Sequence, residues 1–337
     1  MKRNLYIMKR LSFSTLVSLW NRAKSTSFST LQSLKYGCNP NQKAAIANNP
    51  FQIINGHPSY INMLDALTSW QLVHELSQLT GKVVATSFKH VTPTGVALAE
   101  DSHKSYQLAR NIDSKSSFGD FISISHPVDK ETAQFIQKVV SDGIVAPSFT
   151  PEALELLRTK KKGKFLILQS NPEQYSSQST VMERRELFGA TLFQERNQFS
   201  LAPSFFQEME DLSQDIQMNL IIASMILKYT PSNSISISYN HQVIGVGAGQ
   251  QNRVDCLQIA GKKAMKWLQK HKIDNPQNLV MASDGFIPFP DTVELASDYG
   301  IQYIIQPGGS INDSVVQQTC QDKGIHMITT GNRLFYH

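Results

Sequence analysis

The stretch NMLDALTSWQLVHELSQLTGKVVATSFKHVTPTG, Asn62 to Gly95, contains the change of hydrophobic period that decides the fold. From Asn62 to Leu79, the residues Leu64, Leu67, Leu72, Val73, Leu76 and Leu79 recur close to helical period, which predicts a helix ending at Gly81. VVATSF, Val83 to Phe88, follows at once; it is β-branched and short, which predicts a buried strand. Outward from this pair, FLILQ (Phe165 to Gln169), LVMAS (Leu279 to Ser283) and YIIQP (Tyr303 to Pro307) predict further strands. Helices are predicted over 131–140, 214–228, 256–269 and 312–321. Strands alternating with helices predict an α/β architecture. ISISYNHQVIGV, Ile235 to Val246, alternates at period two around Asn240-His241 and predicts a hairpin, which makes the sheet mixed.

At 337 residues the chain is long enough for two domains of roughly 150 residues each. A composition of 41% apolar and 18% charged residues excludes collagenous, coiled-coil and wholly disordered classes. No apolar run reaches the roughly 18 residues that cross a bilayer. Cys38, Cys256 and Cys320 form no CxxC pair, which argues against a disulfide scaffold or a thiolate zinc site and fits a reducing compartment. The net charge of +5 is unevenly spread: residues 1–64 carry eight Lys or Arg and no acid, leaving 24 basic and 27 acidic groups beyond. The body is therefore not expected to bind nucleic acid.

Residues 1–30 form an acid-free, Ser-rich segment with Leu5, Met8, Leu11, Leu16, Leu19 and Trp20 roughly on one helical face. Such a segment suits an organellar transit peptide or a basic helix lying on a membrane surface or on the body, and an N-terminal extension without an address is the competing reading. The expected location is cytoplasmic, with an organelle reached through residues 1–30 as the alternative. The expected division is a basic amphipathic leader or extension over 1–30, a first lobe over 31–170, a connecting segment over 171–205 rich in Gln, Ser, Glu and Arg, and a second lobe over 206–337. KKKGK at 160–164 reads as a solvated turn before a strand, with phosphate binding as the competing reading.

Polar clusters at the ends of the apolar runs carry the chemistry. Lys89-His90 places an ammonium donor beside an imidazole, able to stabilise developing negative charge and to accept a proton. Alone the dipeptide is a weak signal. In KYTPSNS, 228–234, the alternating hydroxyls of Thr230, Ser232 and Ser234 either cap a turn or direct oxygens at a hard cation. VIGVGAGQQNR, 243–253, is Gly-rich and precedes a helix, so its N–H groups could approach an anion, but it lacks the βαβ context of a dinucleotide site. SDGFIPFPD, 283–291, sets two aromatics and prolines beside two carboxylates and could sandwich a flat heterocycle. NRLFYH, 332–337, offers an Arg beside aromatics for a phosphate.

These blocks, with LKYGCNPNQ (34–42), INGHPSYINMLDAL (54–67), SFKHVTPTG (87–95), SSFGDF (116–121) and SDGIVAP (141–147), occur in one order. Over about residues 32–337 the chain resembles the formyltransferase part of the AICAR formyltransferase/IMP cyclohydrolase family, where AICAR is 5-aminoimidazole-4-carboxamide ribonucleotide. The resemblance implies two α/β lobes, each similar to a cytidine-deaminase fold with a mixed sheet. Neither lobe offers an H-x-E with P-C-x-x-C, so no zinc site is expected.

The activity implied is formyl transfer from 10-formyltetrahydrofolate to the 5-amino group of AICAR in purine biosynthesis. By resemblance Lys89, His90 and Asn233 are catalytic, and Lys35, Tyr36, Gly37, Asn62, Gly119, Asp142, Arg333 and Phe335 bind the nucleotide. Gln250, Arg253, Phe286, Pro288, Phe289 and Asp291 fall on the folate side. A structural, potassium-type cation would lie among Leu227, Thr230, Ser232, Ser234, Asp284 and Leu334, the leucines through carbonyls. A homodimer with active sites between subunits is implied as well. The sequence departs from the family's pattern in places: Lys35 stands for the usual Arg, D-G-F-I-P-F replaces D-A-F-F-P-F, and the segments Leu98–Ser116 and Trp267–Ser283 are shorter. Upstream of residue 31 there is no room for a cyclohydrolase domain, so ring closure is not expected of this chain. The alternative reading is a catalytically silent relative acting as a ligand-binding or structural subunit.

Overall fold

The computed structural model describes residues 31–171 and 182–337. The expected leader lies outside the described residues. Strands β1 (Leu31–Leu34) and β2 (Ala44–Ala47) pair antiparallel in a small sheet of their own. After β3 (Phe51–Asn55) come α1 (Tyr60–Thr80), the hairpin β4 (Val83–Lys89) and β5 (Thr92–Ala99), and α2 (Ser102–Ile112). Strand β6 (Asp120–Ile124), α3 (Lys130–Lys138), β7 (Ser141–Ala146), α4 (Pro151–Thr159) and β8 (Leu166–Ser170) complete the first half. A separate hairpin, β9 (Met182–Leu187) with β10 (Ala190–Glu195), stands between the halves. The second half runs α5 (Gln214–Leu227), β11 (Ile235–Tyr239), β12 (Gln242–Gly247), α6 (Arg253–Lys270), β13 (Val280–Ser283), α7 (Asp291–Asp298), β14 (Tyr303–Gln306), α8 (Asp313–Asp322) and β15 (His326–Thr329).

Residues 60–170 and 214–329 thus repeat one order: helix, hairpin, helix, strand, helix, strand, helix, strand. The sequence shows no close repeat, because the likeness is one of element order. Both halves feed one eleven-stranded mixed sheet in the order β15-β14-β13-β11-β12-β5-β4-β6-β7-β8-β3. Each hairpin has an antiparallel neighbour, β6 on β4 and β13 on β11, followed outward by parallel strands. The halves join where β12 meets β5 antiparallel, through Gln242↔Ala97 and Val243↔Val96.

Local chemistry accounts for the elements. Ser59 caps α1 by accepting the Asn62 N–H at 3.2 Å, and Gly81 ends the helix at φ 65°. Val84 and Phe88 of β4 face one side of the sheet, packing with Trp70, Leu72 and Leu76 of α1 and Leu220 and Ile222 of α5. Val83 and Ala85 face the other side, with Tyr106 of α2 and Ile136 of α3. The second half buries Cys256, Leu257 and Ala260 of α6 against Ile235 and Ile237 on that same side. The layers are therefore α1 and α5 on one face and the remaining six helices on the other. Gly95 and Gly245 occupy matching places: a Cβ would lie 2.3 Å from the Ala109 carbonyl oxygen in one half and 2.2 Å from that of Ala260 in the other. Gly247 is closer still, 2.0 Å from the Cys256 oxygen. These glycines let α6 lie on β12, and the anion-loop reading of Gly245 and Gly247 gives way to helix–strand packing. Among the described residues, no helix is long and apolar enough to cross a membrane.

Candidate functional site

The strand directions bring the sequence-predicted residues to one end of the sheet, the end where β4 turns into β5. Strands β6 and β7 begin there, as does β11, while β12 and β13 end there. The residues form two groups on that edge.

The first group surrounds the β4–β5 turn. Lys89 closes β4, and His90 and Val91 form a two-residue turn with both φ values positive, 54° and 56°. His90 is exposed. The Lys89 ammonium donates to the Phe118 carbonyl at 2.6 Å, which ties it to the segment bearing Gly119, and the Gly119 N–H reaches the Val140 carbonyl at 3.0 Å, just before β7 and Asp142. Lys35 and Tyr36 are zipped onto the start of α1, with the Lys35 N–H on the Pro58 carbonyl and the Tyr60 N–H on the Tyr36 carbonyl, both at 2.9 Å. The Lys35 ammonium lies 5.5 Å from the centre of the Tyr36 ring. Gly37 is fixed by proximity to Gln42, whose Cβ would be 2.7 Å from an added Cβ. Asn62 completes the α1 capping box: its Oδ1 accepts from the Ser59 N–H at 3.0 Å, so the oxygen is committed to the helix start.

A buried network that sequence reasoning missed underlies this group. Asp120 Oδ1 accepts from Arg110 Nη1 at 2.7 Å, and Asp120 Oδ2 accepts from the Ser87 hydroxyl at 2.7 Å and the Tyr106 hydroxyl at 3.1 Å. Arg110 also donates to the Ser117 carbonyl at 2.7 Å and the Val140 carbonyl at 3.1 Å. It thereby fixes both flanks of the loop that receives Lys89. Burial pushes the Asp120 carboxyl up, against the opposing pull of Arg110 and the hydroxyl donors, and it drives the Tyr106 phenol well above its ordinary value. The signal available in sequence was the i, i+4 spacing of Tyr106 and Arg110 on one helix face.

The KKKGK run is only partly the expected solvated turn. Lys160 is buried, bonded to the Val139 carbonyl, and its pKa is lowered by burial first and by Arg110 second. Lys161 pairs with Asp142 at 2.6 Å.

The second group is built on Asn233. Its Nδ2 donates to the carbonyls of Gln250 and Gln251 at 3.0 and 3.2 Å, and its Oδ1 lies 3.3 Å from Arg253 Nη1. Arg253 is almost buried; its fork also reaches Asp284 at 3.2 Å and the Phe286 carbonyl at 3.2 Å. Burial lowers the Arg253 pKa, with Asp284 acting in the opposite direction. Asp284 Oδ2 accepts the Ser234 N–H at 2.8 Å and the Ser234 hydroxyl at 3.1 Å. The C-terminal segment docks here: the Leu334 N–H donates to the Asp284 carbonyl at 2.8 Å, the Ser232 N–H to the Tyr336 carbonyl at 3.0 Å, and the Tyr336 N–H to Ser232 Oγ at 3.1 Å. Arg333 stacks over Phe335 with its guanidinium carbon 4.5 Å from the ring centre.

Phe286 and Phe289 are exposed, while the Pro288 carbonyl is taken by Asn312 at 2.8 Å. Asp291 accepts the Thr292 N–H at 2.6 Å, and Gln250 turns back to the Ala248 carbonyl at 3.0 Å. The Thr230 hydroxyl donates to the Ile226 carbonyl at 2.8 Å, and the Leu227 carbonyl accepts the Thr230 N–H at 3.2 Å. The Thr230 hydroxyl gives its proton to the Ile226 carbonyl and the Ser234 hydroxyl gives its own to Asp284, so both hydroxyls keep oxygen lone pairs to offer. That donor set fits a hard monovalent cation. Among the described residues, no group of three or more His, Cys, Asp or Glu is placed to hold a metal ion.

The two groups lie apart along that end of the sheet. Strand β4, bearing Lys89, and β11, preceded by Asn233, are three places apart in the sheet order, about 14 Å at roughly 4.8 Å per step.

Comparison with known proteins shows what the chain is similar to. The bifunctional purine biosynthesis protein PurH of Prochlorococcus marinus (strain NATL1A) is 34% identical over 353 aligned residues, covering 97% of this chain and 65% of the relative. PurH of Persephonella marina (strain DSM 14350 / EX-H1) is 34% identical over 325, covering 93% of this chain and 61% of the relative. The chain thus spans somewhat under two thirds of the length of these relatives. The model of the AICARFT/IMPCHase bienzyme family matches residues 5–263. The chain belongs to the AICARFT/IMPCHase bienzyme family.

Proposed function

We propose that the chain is a folate-dependent formyltransferase, passing the formyl group of 10-formyltetrahydrofolate to the 5-amino group of AICAR in purine biosynthesis. The observation that carries this reading is the presence, on one sheet end of a family member, of the Lys89–His90 turn and the Asn233–Arg253–Asp284 cluster. The amine is aromatic and weakly nucleophilic, so the reaction needs placement beside the donor and prompt removal of a proton. His90 takes the amine proton as nitrogen attacks the formyl carbon. Lys89 stabilises the charge that develops on the formyl oxygen. The carbon–N10 bond of the folate then breaks, and N10 receives the proton from His90, giving tetrahydrofolate and formylated AICAR. Asn233, its amide fixed by Gln250, Gln251 and Arg253, orients the formyl group.

Lys35, Tyr36, Gly37, Asn62, Gly119 and Asp142 would bind the nucleotide from the first half, Arg333 and Phe335 from the second. Lys35 would meet the phosphate as a point charge. Asn62 would use its amide nitrogen, since its oxygen serves the cap. Exposed Phe286 and Phe289, with Pro288, Asp291 and Gln250, would face the folate, while Arg253 would act from beneath. The two repeats serve as the two lobes. The separation of Lys89 from Asn233 along the sheet supports a homodimer in which the first group of one copy faces the second group of another. A potassium-type ion would be held by Thr230, Ser232, Ser234 and Asp284 with the Leu227 and Leu334 carbonyls, supplying charge that docks the C-terminal segment.

The test mixes purified protein with AICAR and 10-formyltetrahydrofolate and follows tetrahydrofolate release. Turnover is expected, and it should vanish in Lys89→Ala/His90→Ala. A folded, dimeric wild type with no turnover above that variant would establish the silent-relative reading instead.

A further inference from the structure

The two repeats hold their hairpin turns by the same device. Asp65 of α1 accepts the Val91 N–H at 2.7 Å, and Asn219 of α5 accepts the His241 N–H at 2.9 Å. Each is the sixth residue of its helix. Each turn puts both central residues in the left-handed region, at φ 54° and 56° for His90 and Val91 and 48° and 59° for Asn240 and His241. Asn tolerates that conformation; a β-branched residue resists it. In such a turn the N–H of the second central residue lies off the ladder and needs an acceptor from elsewhere. The turn that contains Val91 has the greater need of one.

The turns differ in what they carry. Because β12 runs antiparallel to β5, they lie at opposite ends of the sheet. The first bears Lys89 and His90 at the end where Asn233 and Asp284 gather. The second bears none of the residues assigned to the reaction. One bond therefore exists twice, once at the reacting end and once far from it.

We propose, resting on the formyl-transfer reading, that Asp65 is a positioning residue for the reaction: its bond to the Val91 N–H fixes the turn and so aims His90 and Lys89 at the reacting groups. Asp65 touches neither substrate. What it must supply is an acceptor oxygen, as Asn219 does in the second repeat.

The experiment uses the full chain as wild type, Asp65→Ala, Asp65→Asn and Asn219→Ala, with saturation kinetics in both substrates and amide hydrogen exchange of the peptide spanning the β4–β5 turn. Asp65→Ala should lose roughly 10- to 100-fold in kcat with both KM values within about threefold, and Asp65→Asn should recover to within about threefold of wild type. Exchange in the turn peptide should accelerate in Asp65→Ala and not in Asp65→Asn. Asn219→Ala removes the matching bond and should keep wild-type kcat, which separates aiming from general stability. The proposal is overturned if Asp65→Ala turns over like wild type, if its turn peptide exchanges no faster, if Asp65→Asn falls with Asp65→Ala, or if Asn219→Ala loses as much kcat as Asp65→Ala. A wild type that does not turn over rejects the formyl-transfer reading, and the proposal with it; a wild type that does, matched by Asp65→Ala, rejects the positioning role alone.

Discussion

Arg253 holds Asp284 at 3.2 Å with the guanidinium that also reaches Asn233 and the Phe286 carbonyl, and both charged side chains are nearly or wholly buried. The residue expected on the folate side is thus tied into the protein beneath the site. Removing one partner of a buried pair leaves the other charge without compensation. Arg253→Ala should therefore destabilise by about 3–5 kcal/mol. Arg253→Lys keeps the charge but loses the fork, and it should cost about 1–3 kcal/mol while loosening Asn233. Urea unfolding checks both. A residue serving only as a folate contact would leave stability where it was and raise the folate KM alone.

Arg110 and Asp120 form the corresponding buried pair under the first group, with the Arg110 side chain 7% exposed and Asp120 fully enclosed. Their bonds fix the segment from Ser117 to Asp120, whose Phe118 carbonyl receives Lys89. Asp120→Ala should lose about 3–5 kcal/mol and lower turnover through Lys89. Arg110→Met combined with Asp120→Leu removes both charges and should recover a large part of the stability without recovering turnover. Thermal melts and kcat on the same preparations separate the two effects; a double variant as unstable as Asp120→Ala would refute the account.

The elements legible in sequence were those built from dense aliphatic runs or from regular alternation of residue type. α1 carries Leu64, Leu67, Leu72, Val73, Leu76 and Leu79, α5 is apolar enough that residues 219–227 are buried without a break, and ISISYNHQVIGV alternates in residue type although nearly all of β11 and β12 is buried. Helix α2, SHKSYQLARNI, escaped because its buried face is made largely of Ser102, Ser105, Tyr106, Ala109 and Arg110, and Arg110 finds its partners in Asp120 and in the Ser117 and Val140 carbonyls only after the later strands are in place. The candidate site was legible as motif blocks, since the proposed residues Lys89, His90 and Asn233 fall at chain positions that contiguous residues mark. The network under it was not, because Ser87, Arg110 and Asp120 converge only after the sheet forms. Nor could the repeat be read, as the halves share element order and places such as Asp65 and Asn219, where the residue types differ.

Two glycines make a steric contrast. An added Cβ at Gly247 would lie 2.0 Å from the backbone oxygen of Cys256, which cannot move without shifting α6. At Gly285, where the family's usual residue is Ala, it would meet the guanidinium of Arg253, held by Asp284 and the Phe286 carbonyl, at 2.5 Å and the ring of exposed Phe335, which can swing, at 2.7 Å. Gly247→Ala should therefore cost about 1–3 kcal/mol or more. Gly285→Ala should cost less than Gly247→Ala, because side-chain tips and not a helix backbone must give, and should raise the AICAR KM several-fold by displacing Phe335. Equal losses of stability at the two positions would count against this reading of the C-terminal segment.

Asp65 makes stability depend on pH in a defined window. Burial raises its carboxyl from 3.8 to about 6, with Asp142 adding a smaller like-charge push and the Val91 N–H opposing both. The native state therefore binds this proton more tightly than the unfolded chain does. The resulting stabilisation is fully present below pH 3.8 and is lost as pH rises to about 6. Across that interval the native state gives up about 3 kcal/mol, an order-of-magnitude figure at 1.36 kcal/mol per pH unit. Asp65→Asn keeps an acceptor for Val91 and cannot titrate. Its stability relative to wild type should rise by up to that amount between about pH 4 and 6.5 and be flat above. Urea unfolding of the two proteins across this range measures the difference directly, and a difference that does not change with pH would show that the carboxyl titrates in the native state as it does in the unfolded chain.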